Sequence, residues 1–163
     1  CVSSPLDLIS CSNCIERPRN FLYQKWLIHR LKRQLWDGYR NEGILLPKSK
    51  LSKKIKGLKT IGEFDAEFTA PSWGFKSLED YYYQSSPIFR TQKLIKNLPH
   101  TLLIHAKDDP WVPYQSTLNF KNSLNGSLDK LTILITNKGG HNGFHSNDGC
   151  WSDEAVKNWL LSI

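Results

Sequence analysis

The chain lacks the features of membrane-spanning proteins and of disordered chains. It has 163 residues, no methionine, and no uninterrupted apolar run of the about 18 residues that a transmembrane helix needs. Hydrophobic residues make up 39% of the chain and charged residues 23%, a balance that disordered chains do not have. A chain of this length holds one ordinary domain with one core. We therefore expect a soluble globular domain.

The chain also has few cysteines, and its opening residues lack the pattern of a signal peptide. Its four cysteines, Cys1, Cys11, Cys14 and Cys150, are too few and too unevenly spaced for a dense disulfide framework. The opening CVSSPLDLIS has neither the basic start nor the long apolar stretch of a signal peptide. The expected location is therefore a reducing compartment, the cytoplasm. Because the first residue is not methionine, we expect further residues upstream of Cys1, and membrane association through them stays open.

Negative charge is the scarcer sign. The chain has 22 Lys and Arg residues against 15 Asp and Glu residues, a net charge of +7. The excess lies in a basic segment whose lysines are Lys48, Lys50, Lys53, Lys54, Lys56 and Lys59. A solvated basic segment explains these lysines, so no nucleic-acid partner is expected. The alternative is contact with an anionic surface, which such charges attract over about 10 Å.

Two short apolar runs predict neighbouring parallel strands. Residues 101–106 (TLLIHA) and 131–136 (LTILIT) are expected to be buried, and each ends in a polar turn, KDDP or NKGG. Between them, residues 114–124 (YQSTLNFKNSL) have helical spacing and are followed by an Asn-Gly stop signal. Because strand, helix and strand in this order form the unit of a parallel sheet, the sequence predicts an α/β fold.

The first half of the chain predicts short helices and loops. Residues 21–35 (FLYQKWLIHRLKRQL) are amphipathic, with an apolar stripe for a core or a partner. The stripe consists of Leu22, Trp26, Leu27, Leu31 and Leu35. Two pairs, Thr60 with Glu63 and Ser77 with Asp80, have the spacing of capping boxes.

The C-terminal segment predicts a helix that packs on the sheet. Residues 152–161 (SDEAVKNWLL) begin with Ser152, which is expected to cap the helix, and continue with an acidic first turn. The apolar residues at helical spacing are Ala155, Val156, Trp159 and Leu160.

An acidic residue and a histidine follow the two predicted strands. Asp109 lies in AKDDPWVP after the first strand, and His141 lies in KGGHNGFH after the second. Parallel strands end at one edge of a sheet, where the loops of α/β proteins carry chemistry. A carboxylate bound to one imidazole nitrogen fixes the tautomer and leaves the other nitrogen as a base. Taken alone, Asp109 is explained as a turn cap before Pro110, and His141 is explained as a loop residue that bonds to the backbone. Taken together, an acid and then a histidine after consecutive strands favour catalysis.

A nucleophile does not accompany this pair. The chain contains no G-x-S-x-G, and no serine or cysteine lies on an evident strand-to-helix elbow.

Two alternative interpretations, a zinc site and a redox site, use cysteines and histidines. Cys11-x-x-Cys14 and His141-x-x-x-His145 each match half of a zinc pattern, and the cysteine pair also matches a redox motif. The halves lie far apart in the sequence, and no matching strand and helix context supports the redox motif.

Together, these motifs resemble the C-terminal half of YheT-like α/β-hydrolases nearly from end to end. VSSPLDL resembles the strand after the nucleophile elbow, FLYQKWLIHRLK the cap helix, and EFDAEFTAPSWGFKSLEDYYYQSS the segment that follows. LLIHAKDDPWVP resembles the acid loop and GGHNGF the histidine loop. The resemblance implies a strand after the elbow in residues 1–10, a helical cap-like segment in 11–98, and a C-terminal α/β core in 99–163.

The resemblance also implies roles for single residues. The acid is Asp109, with Asp108 as the alternative, and the base is His141. Gly139 and Gly140 give the histidine turn a conformation that a β-carbon would resist. Outside the matched motifs, His145 is expected to be a surface or supporting residue. Five aromatic residues either line an acyl pocket or pack the cap: Trp73, Phe75, Tyr81, Tyr82 and Tyr83.

In such hydrolases the serine precedes the acid and the histidine, so the resemblance implies that the nucleophilic serine lies upstream of Cys1. The chain is then the C-terminal fragment of a serine carboxylic-ester hydrolase with an acyl-enzyme mechanism, and it is inactive alone. The implied partners are a small-molecule or lipid ester substrate and the missing N-terminal half, with contact to a membrane surface left open. No cofactor and no metal is implied. The alternative is a non-catalytic basic binding module or an inactive hydrolase remnant.

Overall fold

The computed structural model describes residues 1–42, 48–90, 98–124, 130–147 and 149–163. These residues form two compact units, one of residues 1–14 with 82–163 and one of residues 15–81. The segments 1–10, 11–98 and 99–163 remain predictions. They are defined by the functional parts of the resembling family, whereas the two units are defined by contacts within the structure.

The described residues form helices, short strands and single helical turns. The helices are α1 (Leu8–Ile15), α2 (Phe21–Glu42), α3 (Lys48–Gly57), α4 (Ile61–Phe64), α5 (Ala70–Ser72), α6 (Leu78–Ser85), α7 (Tyr114–Ser123) and α8 (Trp151–Leu160). The strands are β1 (Thr101–Ala106), β2 (Leu131–Thr136), β3 (His145–Ser146) and β4 (Gly149–Cys150). Short 3-10 turns lie at Pro18–Asn20 and Pro87–Arg90, and a π-helical turn at Asp65–Thr69 joins α4 to α5.

The first unit is built on the two parallel strands predicted from the sequence. β1 pairs with β2 in parallel register from Thr101 with Leu131 to Ala106 with Thr136, and α7 connects them. This arrangement confirms the α/β class. β1 is buried over almost its whole length, whereas β2 is only half-buried, so the expectation of two buried strands is wrong for β2. Within the described residues β2 pairs with no strand other than β1.

The first residues of the chain add to the free side of β1. Val2 forms a parallel bridge with Ile104, and the Ser3 amide donates to the Ile104 carbonyl at 2.9 Å. The extended segment is short, because α1 begins at Leu8 with the Asp7 carboxylate accepting the Ser10 amide hydrogen at 3.1 Å. The end of β1 is therefore flanked by the N-terminal segment on one side and by β2 on the other.

Apolar side chains cover both faces of β1, as expected for a strand inside an α/β layer. On one face, Leu102, Ile104 and Ala106 pack with Phe144, and α8 adds Trp159 to this cluster. On the other face, Leu103 packs with Leu6 and Phe120. Burial on both faces holds the carboxyl end of β1 rigidly, which matters for the loop that follows it.

The C-terminal helix α8 begins one residue before the predicted start. Cys150 occupies the cap position without a capping side-chain hydrogen bond, and Ser152 lies buried inside the first turn with its Oγ atom 3.0 Å from Cys150 Sγ. The expectation of a Ser152 cap is therefore wrong. The two-residue strands β3 and β4 pair just before the helix, with His145 opposite Cys150, and this hairpin sets the start of α8.

The second unit is helical. Its core is Ile28 from α2, Leu58 and Phe64, with Leu31 and Leu35 packed against it. The predicted apolar stripe of α2 is split, because Leu22 and Trp26 are 79% and 55% exposed while Leu31 and Leu35 reach the core.

The predicted capping box of α4 is confirmed. The Thr60 hydroxyl accepts the Glu63 amide hydrogen at 3.1 Å, and the Glu63 carboxylate accepts the Thr60 amide hydrogen at 3.2 Å. Before α6, the Ser77 hydroxyl accepts the Asp80 amide hydrogen at 3.1 Å, and the Asp80 carboxylate accepts the Lys76 amide hydrogen at 3.0 Å. In the described part of the chain, no helix combines the length and apolarity needed to cross a membrane.

Candidate active site

Asp109 sits in a tight turn directly after β1. Its amide donates to the carbonyl of Ala106, the last strand residue, at 3.3 Å. One carboxylate oxygen, Oδ1, accepts the amide hydrogens of Trp111 at 2.9 Å and Val112 at 3.0 Å. The side chain is fully buried. The turn therefore fixes the direction of the carboxylate through its own backbone.

His141 lies in the loop after β2 and meets this carboxylate. Its Nδ1 atom is 3.0 Å from Asp109 Oδ2, the oxygen that the backbone leaves free. A carboxylate only accepts hydrogen bonds, so Nδ1 carries the hydrogen and Nε2 presents its lone pair. The side chain is 25% exposed, and Nε2 has no hydrogen-bond partner among the residues that the structure describes. The Trp111 ring packs against the imidazole, with ring centroids 4.8 Å apart and ring planes inclined by 61°.

The pKa of Asp109 reflects two opposing effects. Burial raises the pKa of the carboxyl group, but the hydrogen bonds from His141, Val112 and Trp111 outweigh burial and hold this pKa below its ordinary value of 3.8. The carboxylate thus stays charged near neutral pH, where it stabilises an imidazolium formed on His141. The pair can accept a proton at Nε2 and return it.

Asp108, the alternative acid in the sequence, has a different position. Its Oδ1 atom accepts the Gly140 amide hydrogen at 2.8 Å, one residue before His141. Adjacent aspartates thus bind the histidine loop at two points, Asp108 through the backbone and Asp109 through the imidazole. The sequence placed both in the acid loop, and the geometry pairs Asp109 with the histidine.

Glycines shape the histidine loop as expected. Gly140 has a φ of +57°, in the left-handed region. At position 139 only glycine fits, because a β-carbon would lie 2.5 Å from two Phe144 ring atoms and 3.0 Å from the Ala106 β-carbon. Two non-glycine residues of the loop, Asn142 and Phe144, also have positive φ values of 63° and 44°. The loop is therefore held in a conformation that its surroundings determine.

Two residues of the site were missed by sequence reasoning. Ser3 is buried, and its Oγ atom accepts the Asn142 amide hydrogen at 3.3 Å, next to His141. His105 is buried in β1 and lies 3.8 Å from Asp109 Oδ2. A polar residue inside the apolar run TLLIHA was the only signal for His105, and no local pattern marked Ser3.

The other residues singled out in the sequence lie elsewhere. His145 is exposed in β3, as expected of a surface residue. Within the second unit, Trp73 is 77% exposed and Phe75 packs against Tyr81. Within the first unit, Tyr82 is buried and donates to Ser12 at 3.2 Å, and Tyr83 stacks on Phe89. The role of these aromatic residues in an acyl pocket stays a prediction.

The zinc and redox readings gain no support. Over the described ranges, no three His, Cys, Asp or Glu side chains come together as a metal site, and all four cysteines, each of them described, are free thiols. Burial, followed by Asp7, Cys14 and Asp109, raises the pKa of Cys11 to about 12. A redox-active thiol needs a lowered pKa, so the shift of the Cys11 pKa is opposite to the one that the redox motif requires. Cys14 is buried and donates to the Pro110 carbonyl at 3.4 Å, which ties α1 to the acid loop.

The chain is similar in sequence to one family profile and to several known proteins. A profile described as the prolyl oligopeptidase family matches residues 58–162. The chain is 30% identical to "Putative esterase YheT" of Escherichia coli, over 99% of this chain and 46% of that protein. It is 31% identical to "Putative esterase slr0264" of Synechocystis, over 85% of this chain and 36% of that protein. It is 28% identical to phospholipase ABHD3 of Mus musculus, over 89% of this chain and 33% of that protein.

The chain thus spans between a third and a half of the length of these relatives. No solved structure matches the chain at a significant level.

Proposed function

Since the chain belongs to the prolyl oligopeptidase family of α/β-hydrolases, with YheT-like proteins among its relatives, we propose that it supplies the acid and the base of a serine carboxylic-ester hydrolase. The observation that carries the proposal is the hydrogen bond between His141 Nδ1 and Asp109 Oδ2. It joins a buried, charged carboxylate to an imidazole whose other nitrogen is available as a base.

The proposed reaction runs through an acyl-enzyme. His141 Nε2 takes the proton of a serine hydroxyl while the serine oxygen attacks the ester carbonyl carbon. The protonated imidazole then gives this proton to the leaving alcohol, and the serine ester remains. Water, deprotonated by the same nitrogen, then attacks the serine ester, and the imidazolium returns this proton to the serine oxygen as the bond to the acyl group breaks and the acid is released. Asp109 stabilises the imidazolium in both steps and stays ionised itself.

The nucleophile is proposed to lie upstream of Cys1, in residues outside this sequence. Two arguments support this placement: the chain contains no G-x-S-x-G, and serine precedes acid and histidine in α/β-hydrolases. The oxyanion hole of this fold uses the amide after the nucleophile and one from an earlier loop, so it belongs to the same upstream part. Residues 1–163 alone are therefore proposed to be inactive.

Esters are proposed as substrates because relatives bear the names esterase and phospholipase. The family profile is named after a peptidase, and amide cleavage would use the same acyl-enzyme. Acyl length and head group stay open between small-molecule and lipid esters, and no cofactor is required by this chemistry. We place the protein in the cytoplasm, in keeping with its free thiols.

The first test is to read the coding DNA upstream of Cys1 for an in-frame G-x-S-x-G, and then to express the complete reading frame. We expect it to hydrolyse p-nitrophenyl esters faster than peptide p-nitroanilides. His141→Ala should abolish turnover, while the matched control His145→Ala, on an exposed histidine, should leave it intact. Turnover that survives His141→Ala, or that residues 1–163 show alone, contradicts the proposal. A stop codon directly upstream of Cys1 supports the hydrolase remnant instead.

A second candidate function is contact of the basic segment with an anionic surface. The favouring observation is that Lys50, Lys53 and Lys56 are exposed on α3, although Lys54 binds Glu67 at 2.7 Å. This candidate predicts binding to phosphatidylglycerol vesicles that weakens with added salt and is lost in Lys53→Glu with Lys56→Glu. Absent binding, or binding that does not respond to salt, removes it.

A further inference from the structure

A buried histidine that the proposed reaction does not use lies four residues before the acid. His105 is in β1, 2% exposed, between the buried residues Ile104 and Ala106. Burial of an imidazole is costly unless both of its nitrogens find hydrogen-bond partners. An aliphatic residue would fit a buried strand without this requirement. The hydrogen bonds of its two ring nitrogens must therefore explain why a histidine occupies this position.

Both nitrogens of His105 are paired, and the partners fix their roles. Nε2 lies 3.0 Å from the Val112 carbonyl oxygen, and Nδ1 lies 2.9 Å from Thr117 Oγ1. A carbonyl oxygen only accepts, so the Nε2 atom carries a hydrogen and donates it to Val112. Thr117 is itself 2% exposed and belongs to α7. His105 thus bridges the acid loop and the helix that follows it.

The residue that His105 binds is also a residue that holds the acid. The Val112 carbonyl accepts from His105, and the Val112 amide donates to Asp109 Oδ1 at 3.0 Å. Both polar backbone groups of Val112 are therefore fixed, one by the strand and one by the carboxylate. Loss of the His105 bond would free one side of the turn that orients Asp109.

The same geometry separates His105 from the acid itself. Its Nε2 atom is 3.8 Å from Asp109 Oδ2, beyond hydrogen-bond distance, whereas His141 Nδ1 is 3.0 Å from the same oxygen. Because the Nε2 hydrogen is directed to the Val112 carbonyl, Oδ2 remains available to His141.

From these contacts we infer that His105 is a positioning residue, which holds the Val112 carbonyl so that Asp109 presents Oδ2 to His141. The inference rests on the proposed function, in which Asp109 and His141 act on a serine. His105 touches neither substrate nor reacting atoms, and it acts through the acid loop alone. A purely structural role for His105 would change stability without a specific effect on the chemical step.

The test uses the complete reading frame and two replacements. His105→Gln keeps an N–H donor near the position of Nε2, and His105→Phe fills similar space without a donor. We expect His105→Phe to lower kcat for a p-nitrophenyl ester by about 10- to 100-fold with little change in KM, since small displacements of catalytic groups cost that much. His105→Gln should retain kcat within about 5-fold, a rescue that depends on the donor. Ile104→Val, in the same strand, is the matched control for loss of packing alone.

The inference is wrong if His105→Phe keeps the wild-type kcat, or if His105→Gln loses as much activity as His105→Phe at equal melting temperature. If His105→Phe does not fold, Thr117→Val decides, because it removes only the hydroxyl that holds Nδ1. We then expect a loss in kcat of about 3-fold at unchanged KM, and an unchanged kcat overturns the inference.

Asp109→Asn in the same protein separates this inference from the proposed function. If Asp109→Asn keeps full turnover, the proposed function fails and His105 has no acid to position. If Asp109→Asn is inactive and His105→Phe is fully active, only the role of His105 fails.

Discussion

His141 Nδ1 lies 3.0 Å from Asp109 Oδ2 although 32 positions separate the two residues in the chain. The parallel register explains this proximity, since the last residues of the two strands, Ala106 and Thr136, lie opposite each other. The two loops therefore start side by side, and the acid and the histidine come from equivalent ends of neighbouring strands. β1, which is buried on both faces, and its parallel pairing with β2 then hold the pair at hydrogen-bond distance.

Asp109→Asn should lower kcat of the complete enzyme by about 10³- to 10⁴-fold. An amide has one oxygen, and the site needs an acceptor toward the Val112 and Trp111 amides and another toward His141. If the amide oxygen faces the backbone, its NH₂ group faces Nδ1, the imidazole hydrogen moves to Nε2, and the base is lost. The measurement is kcat for p-nitrophenyl ester hydrolysis with melting temperatures in parallel.

Asp108→Asn is the matched control for that experiment. Its amide oxygen still accepts from the Gly140 amide, so only charge is lost at an exposed hydrogen bond. We expect a loss of kcat of no more than about 10-fold, because the Gly140 bond is retained. A larger loss for Asp108→Asn than for Asp109→Asn would reverse the assignment of the acid.

Gly139→Ala should destabilise the fold by about 1–3 kcal/mol, since the new methyl group overlaps the Phe144 ring and meets Ala106. Urea unfolding measures this change. Gly38→Ala is the control, because nothing lies within 4 Å of a β-carbon there and α2 is helical at that position. The control should stabilise the fold by about 0.5–1 kcal/mol. Equal effects of the two replacements would contradict the contact with Phe144.

The pH dependence of folding should carry the contribution of Asp109. Its pKa in the folded chain lies below the ordinary value of 3.8, so the unfolded state binds the proton more readily. The carboxylate therefore stabilises the fold fully above about pH 5, and this stabilisation is lost as the pH falls through the lowered pKa. Urea unfolding of wild type and Asp109→Asn should give free energies whose difference is largest above this pH and shrinks as the pH falls below the ordinary pKa of 3.8. A constant difference across the range would show that Asp109 titrates alike in both states.

Local sequence signals were sufficient for the strands and the helix between them. The runs TLLIHA and LTILIT became β1 and β2 with the predicted bounds, and the predicted helix 114–124 became α7, which ends one residue earlier. Apolar runs bounded by turn residues act locally and persist in the folded chain. The edge at which Asp109 and His141 meet follows from strand order alone.

Other features depended on contacts that the sequence pattern does not contain. The burial of Leu31 but not of Leu22 depends on where Leu58 and Phe64 pack along α2. The start of α8 depends on the hairpin of β3 and β4, so Ser152 lies within the helix instead of capping it. His105 finds a partner 12 residues away in Thr117, and nothing near it in sequence indicates that bond.

Thr60→Ala should destabilise the second unit by about 0.5–2 kcal/mol. The hydroxyl satisfies the Glu63 amide at the start of the helical stretch that runs from α4 to α5, and alanine leaves this donor without its cap. Urea unfolding followed by circular dichroism measures the loss. Thr60→Ser, which keeps the hydroxyl, should remain within about 0.5 kcal/mol of wild type. A Thr60→Ser variant as unstable as Thr60→Ala would assign the effect to the methyl group.

Cys11 should resist alkylation in the folded protein. Burial and neighbouring carboxylates raise its pKa to about 12, so almost no thiolate forms near about pH 8. Iodoacetamide followed by mass spectrometry should modify the exposed Cys1 in native protein and Cys11 only after denaturation in urea. Rapid native modification of Cys11 would contradict its burial within α1 and revive the redox interpretation.

The Phe144 ring that occupies the space over Gly139 gives the histidine loop a dependence on the hydrophobic core. The ring is 3% exposed and belongs to the cluster that packs one face of β1. A lineage could therefore lose the proposed hydrolysis through substitutions at position 106, 139 or 144 while it retains both the proposed acid and the proposed base. Among descendants of such a chain, a retained aspartate and histidine would not by themselves identify an intact site, and the small residues at positions 106 and 139 beneath the aromatic ring would have to be compared as well.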